Sequence, residues 1–101
     1  MITKDHFTLK ATVWMYLGHA GWHFVTLPKK ESAEIRKTFD GLHGGWTSLR
    51  VIVNVGKTEW MTSIFYDAKQ GAYLLPIKAD VRKKGKISKG NTINFSIKIK
   101  I

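Results

Sequence analysis

No cysteine occurs among the 101 residues, which excludes disulfides, thiolate metal sites and a cysteine nucleophile, and suits a reducing compartment. Acidic side chains are scarce, seven Asp and Glu against seventeen Lys and Arg, for a net charge of +10. No apolar run approaches the roughly 18 residues a membrane-spanning helix needs. Residues 1–6 lack the apolar stretch of a secretory signal. A cytoplasmic protein that makes no membrane contact is expected.

Catalytic signatures are missing as well. The chain contains no glycine-rich phosphate loop, no nucleophile elbow and no paired catalytic carboxylates. His19 and His23 stand four apart, a spacing that would suit a metal on a helix. Gly18 and Gly21 make that segment a turn, however, and no carboxylate lies nearby. Asp5, Asp40, Asp67 and Asp80 fall at expected turns or element ends, where Asp serves as a backbone acceptor. The expectation is a protein that is not an enzyme and carries no metal or cofactor.

Apolar residues, by contrast, are plentiful: 44% of the chain is hydrophobic, with four Trp, three Tyr and five Phe. That places residues 1–101 among folded chains with one modest core, in a single domain. Their order is mostly of period two. Phe7, Leu9, Ala11, Val13, Met15 and Leu17 alternate with polar or aromatic neighbours, as in a long strand with one face inward. Residues 18–21 then supply a turn before a second strand at 22–27, making a hairpin. A second hairpin follows, in which Leu49, Val51, Val53 and Val55 lead through Gly56 and Lys57 into residues 58–66. A short strand at 72–75 and the alternation Ile93, Phe95, Ile97, Ile99, Ile101 complete six strands.

One helix is expected after Pro28, since proline tolerates the first helical turn. Glu31 and Glu34 near its start and Arg36 and Lys37 near its end suit the macrodipole. Ala33, Ile35, Phe39 and Leu42 form a partial apolar stripe, and Gly41 can end it. Around Pro76 the pattern returns. Leu27-Pro28 is followed by Glu34, Ile35, Arg36 and Lys37, and Leu75-Pro76 by Asp80, Val81, Arg82 and Lys83. Trp14-Met15 and Trp60-Met61 precede the two copies. The second copy is expected to be a shorter helical or irregular segment through Lys84. Six strands, one short helix and an internal repeat favour a small antiparallel barrel, mostly β, because closure satisfies edges that a small domain cannot otherwise cover.

Trp22-His23-Phe24-Val25-Thr26-Leu27-Pro28, then Ala33-Glu34-Ile35-Arg36, Arg50-Val51-Ile52-Val53-Asn54-Val55-Gly56, Trp60-Met61-Thr62-Ser63, Tyr73-Leu74-Leu75-Pro76-Ile77-Lys78 and Val81-Arg82-Lys83 resemble the bacterial domain of unknown function nineteen-oh-five. The resemblance covers essentially the whole chain and implies a double-split β-barrel with a pseudo-twofold axis. It implies no activity. The last third is also similar to the half-barrels of AbrB-like regulators and MazE-like antitoxins, which build a DNA-binding barrel from two chains.

Charge adds a functional expectation, because residues 77–101 carry +7 and residues 1–76 only +3. Clustered Lys and Arg are the footprint of a surface that meets polyanions. Lys29, Lys30, Arg36 and Lys37 from one copy, with Arg82, Lys83, Lys84, Lys86 and Lys89 from the other, are the candidate phosphate contacts, and nonspecific nucleic-acid binding is the leading expectation. A solvated charged rim explains the same residues. The alternative is a small-molecule or peptide pocket at the barrel mouth lined by Trp14, Tyr16, Trp22, Trp46, Trp60 and Tyr73, although such aromatics also serve as packing partners. Arg36 and Arg82 are further candidates to brace the repeat against carboxylates such as Glu34 or Asp80. A monomer or weak homodimer is expected.

Overall fold

The computed structural model describes residues 5–17, 21–39 and 48–100. Alternation becomes strand in each of the expected stretches, though the first stops short of its full expected length. β1 (His6–Met15) buries Phe7, Leu9 and Val13 and turns His6, Thr8 and Lys10 outward. β2 (His23–Thr26), β3 (Ser48–Val55), β4 (Thr58–Asp67), β5 (Ala72–Pro76) and β6 (Thr92–Lys100) complete the sheet, with β6 alternating most regularly. Two helices connect them, α1 (Lys29–Phe39) between β2 and β3, and α2 (Ala79–Gly85) between β5 and β6. No helix of the described residues is long and apolar enough to cross a membrane.

Every strand pairing is antiparallel, and the order β1-β2-β5-β4-β3-β6 closes on itself through β6 and β1. Exchanging β1 with β4, β2 with β5 and β3 with β6 leaves this cyclic order unchanged, as a pseudo-twofold relation between the halves requires. Both split hairpins are short. β1 meets β2 only from Val13 to Met15, and β4 meets β5 only from Phe65 to Asp67. Beyond those three-residue bases the partners diverge, and β1 continues against β6 while β4 continues against β3.

Within the closed sheet lies an aliphatic core. Val25, Leu27, Ile35, Val51, Val53, Ile64, Leu75 and Ile97 are at most 1% exposed, each contributing roughly 1.5–3 kcal/mol of burial relative to exposure.

Four expectations are corrected. Leu17 is 86% exposed rather than inward, because the β1–β2 ladder ends at Met15↔His23, two residues before it. The second proline does not begin a helix. Pro76 ends β5, the Ile77 N–H donates to the His23 carbonyl at 2.8 Å, and Lys78 caps a regular α2, so the barrel has two helices rather than one. Trp14 and Trp60 are not equivalent in the repeat either. Trp14 opposes Phe24 in the first split hairpin, whereas Trp60 opposes Val53 between β3 and β4.

The fourth correction concerns the stripe of α1, which runs through Ser32, Ile35 and Phe39 while Ala33 is exposed. Gly41, Leu42 and Ile101 lie outside the described residues. Ser32 is fully buried, and its hydroxyl has a defined task. Where the β2–β5 ladder reaches Leu27 and Tyr73, the Leu27 N–H donates to the Tyr73 carbonyl at 2.9 Å. The reciprocal bond is replaced by a relay: the Tyr73 N–H donates to Ser32 Oγ at 3.0 Å, and the hydroxyl donates onward to the Leu27 carbonyl at 3.4 Å. The helix is thereby joined to the seam between the two halves.

Ser32→Ala orphans a buried N–H and a buried carbonyl together, so chemical denaturation should show a loss of about 1–3 kcal/mol. A neutral result would mean that the relay contributes nothing.

Candidate functional site

α2 and its flanks hold six cations, Lys78, Arg82, Lys83, Lys84, Lys86 and Lys89, within residues 78–89, against one carboxylate. That carboxylate is occupied locally, since Asp80 Oδ1 accepts the Val81 N–H at 3.0 Å at the helix start. Among the described residues none of the six cations is paired with a carboxylate. Arg82 is anchored differently from the expectation of an Asp80 partner: its Nε donates to the Ile77 carbonyl at 3.2 Å, which orients the guanidinium from below. Its position with Lys83 and Lys84 in the last turn favours the negative end of the helix.

Lys86 ends the helix in the left-handed region (φ 54°, ψ 44°), with its N–H on the Arg82 and Lys83 carbonyls. Glycine is the usual residue for this conformation. Gly85, one position earlier, lies close against Ile87: a Cβ there would stand 3.0 Å from its Cδ1, so the Ile87 side chain would have to shift by a few tenths of an ångström. Ile87 is buried, and its N–H donates to the Arg82 carbonyl at 2.8 Å. A lysine is therefore held at a backbone geometry that disfavours it.

The nine candidate phosphate contacts do not form one surface. α1 leaves the end of the β2–β5 ladder at Thr26↔Leu74, and α2 leaves the opposite end at Phe24↔Pro76. Lys29, Lys30, Arg36 and Lys37 therefore sit at one end of the barrel, and Arg82, Lys83, Lys84, Lys86 and Lys89 at the other. Lys29, Lys30 and Lys37 are exposed. Arg36 lies with its guanidinium carbon 4.0 Å from the centre of the Tyr66 ring, and Tyr66 meets Tyr73 edge-on at 5.2 Å. That arrangement packs α1 against the sheet.

A groove of about 630 Å³ opens beside α2, outside the barrel wall, where β4 and β5 have diverged. Its walls come from the turn before β2 (Gly21, Trp22, His23), the outer row of β4 (Met61, Ser63, Phe65) with Thr62 and Arg50, and the β5–α2 junction (residues 76–79 with Arg82). Three of these residues are cations, and among the described residues no Asp or Glu lines the groove. Trp22, Met61 and Phe65 are 57%, 50% and 45% exposed. Arg50 opposes Ser63 on β4, and its Nη2 stands 3.1 Å from Met61 Sδ. The His23 ring is fixed through Nδ1, which meets the Gly21 carbonyl and must be the donor there, leaving Nε2 unused by that bond.

Of the five aromatic pocket candidates among the described residues, only Trp22 lines this groove. Trp14 is half-buried, stacked on Phe24 at 5.1 Å, and its Nε1 donates to Thr26 Oγ1 at 2.9 Å. Tyr16 is exposed on the same hairpin, and its N–H donates to the Trp22 carbonyl at 2.8 Å. Trp60 packs against the core with its Nε1 buried and unpartnered among the described residues, and Tyr73 is buried under α1. Trp46 and His19 lie outside the described residues.

Arg50, Met61, Phe65 and Lys78 were not singled out from the sequence. A signal for two of them exists, since Met61 and Phe65 are apolar at the outward positions of β4, where an alternating strand carries polar residues. Among the described residues no three His, Asp or Glu side chains converge as metal ligands.

Lys86→Gly relieves the left-handed strain, so denaturant unfolding should show a gain of about 1 kcal/mol. A loss would mean that the lysine side chain supports the fold.

No curated protein matches the chain significantly. The family described as Domain of unknown function (DUF1905) matches residues 9–97, which run from the inward Leu9 of β1 to the buried Ile97 of β6. With nearly the whole barrel inside that match, the chain belongs to the DUF1905 family.

Proposed function

We propose that this barrel is a noncatalytic module that binds nucleic acid through its α2 end. One observation carries the reading: six cations crowd residues 78–89, none of them neutralised by a carboxylate among the described residues, on a helix tied to the barrel through Val81, Ile87 and the Arg82–Ile77 bond. Phosphate contacts need positive donors on a rigid frame, and this segment supplies them. The four cations of α1 stand at the far end and are surplus to the interface. Direct readout of base pairs requires Arg, Asn or Gln aimed at base edges in a groove. The α2 end is rich in lysine instead, so binding is nonspecific for sequence. A second reading, a small anionic ligand, is favoured by the volume of the groove, about 630 Å³, which lies in the range of ligand pockets.

Fluorescence anisotropy of labelled oligonucleotides at two salt concentrations tests the proposal. With about four phosphates neutralised, affinity should fall on the order of 10²-fold between 50 and 200 mM salt. The combined variant Lys83→Gln/Lys84→Gln/Lys89→Gln should lower the slope of log affinity against log salt by about 2. These lysines are exposed, so its melting temperature should hold. Binding that is absent near 50 mM salt, or insensitive to salt, would end the nucleic-acid reading.

A further inference from the structure

We infer that the groove beside α2 seats an unpaired nucleobase on Trp22, and that the module therefore selects single strands over duplexes. The inference rests on the nucleic-acid reading above and adds the kind of strand that is bound.

Trp22 is the exposed end of a row of three aromatic rings, each tilted 32–33° to the next. Its ring lies 6.1 Å from Phe24, which in turn lies 5.1 Å from Trp14. The far end of the row is pinned, because Trp14 Nε1 donates to Thr26 Oγ1 (2.9 Å), Thr26 Oγ1 to Gln70 Oε1 (3.3 Å), and Gln70 Nε2 to Asp67 Oδ2 (2.8 Å). The near end is fixed at the backbone, by the Tyr16 N–H on the Trp22 carbonyl. The indole rests beside Phe24 and, 57% exposed over a groove, presents a π-face. The ring belongs neither to the buried core nor to the half-buried side chains packed on it.

The surroundings specify what should cover it. Met61 and Phe65 give the groove an apolar wall, while Arg50, Lys78 and Arg82 line it with positive charge that no carboxylate opposes among the described residues. A wholly apolar occupant would leave three cations facing it, and a bare polyphosphate would leave Trp22, Met61 and Phe65 in water. A planar base attached to a phosphodiester satisfies both sets at once. The lysines after Arg82 continue the positive surface beyond the groove, as a strand with further phosphates requires. In a duplex both faces of each base are already stacked, so none can lie on Trp22 without leaving the helix at a cost of a few kcal/mol.

The test compares an oligothymidylate, an abasic strand of equal length, the duplex with oligoadenylate and thymidine monophosphate, all at low salt. The oligothymidylate should bind about tenfold or more tighter than the abasic strand and the duplex. Trp22→Ala should abolish that advantage without changing affinity for the abasic strand, and Trp22→Phe should restore most of it. The melting temperature of each variant shows that the fold is intact. Equal, salt-sensitive binding of strand, abasic strand and duplex would overturn the base-stacking site and leave the nucleic-acid reading standing. If nothing binds, both fall. Monophosphate binding as tight as that of the oligomer would overturn the strand assignment in favour of a small anion.

Discussion

Closure of the barrel depends on the seam between β2 and β5, where a four-residue strand must join two halves that are otherwise well paired. The register Phe24↔Pro76 to Thr26↔Leu74 gives this seam only three residue pairs. It is extended at one end by the Ile77 N–H on the His23 carbonyl and at the other by the Leu27 N–H on the Tyr73 carbonyl. The Ser32 hydroxyl completes the second junction by standing between the Tyr73 N–H and the Leu27 carbonyl. A proline at Pro76 can donate nothing to the ladder, so backbone bonds on either side of it matter more. Burial of Val25, Leu27, Tyr73 and Leu75 at this seam links its hydrogen bonds to the core.

The placement of charge follows from that seam. Because β2 and β5 run antiparallel, the segments after them leave in opposite directions, and a repeat that looks like one basic surface in the sequence becomes two basic ends. At the α1 end the arginine is used for packing, over Tyr66. At the α2 end Arg82 is tied by Nε alone and lines the groove. The same splitting makes room for the groove, since β4 is paired with β5 only from Phe65 onward, and Met61 and Ser63, on the part that precedes this pairing, line the groove beside α2 together with Phe65. The two ends thus differ: one copy of the repeat spends its arginine on packing, and the other places it at the groove.

Strand positions were legible because half-burial imposes a period of two, and Phe7, Leu9, Val13 and the isoleucines of β6 obey it. The helix after Pro28 was legible from its charge order. Ser32 was not, because a serine reads as a spacer until the chain that passes it is known. Leu17 kept the alternation but lost the ladder, and only the register shows where pairing stops. The Trp-Met match misled for a related reason, since similar dipeptides landed in differently paired parts of the sheet. For the site, the cations of residues 78–89 were visible as composition. The groove was not, because Arg50, Met61 and Phe65 acquire Trp22 and α2 as neighbours only through barrel closure.

The fold places the two basic copies at opposite ends of the barrel, and the proposed binding face is the α2 end alone. Mapping backbone amide chemical shifts during titration with an oligothymidylate tests it most directly. Perturbations should gather at residues 21–23, 61–65 and 78–89, while residues 29–37 of the α1 end stay in place. Equal perturbation of both helices, or perturbation confined to α1, would contradict it.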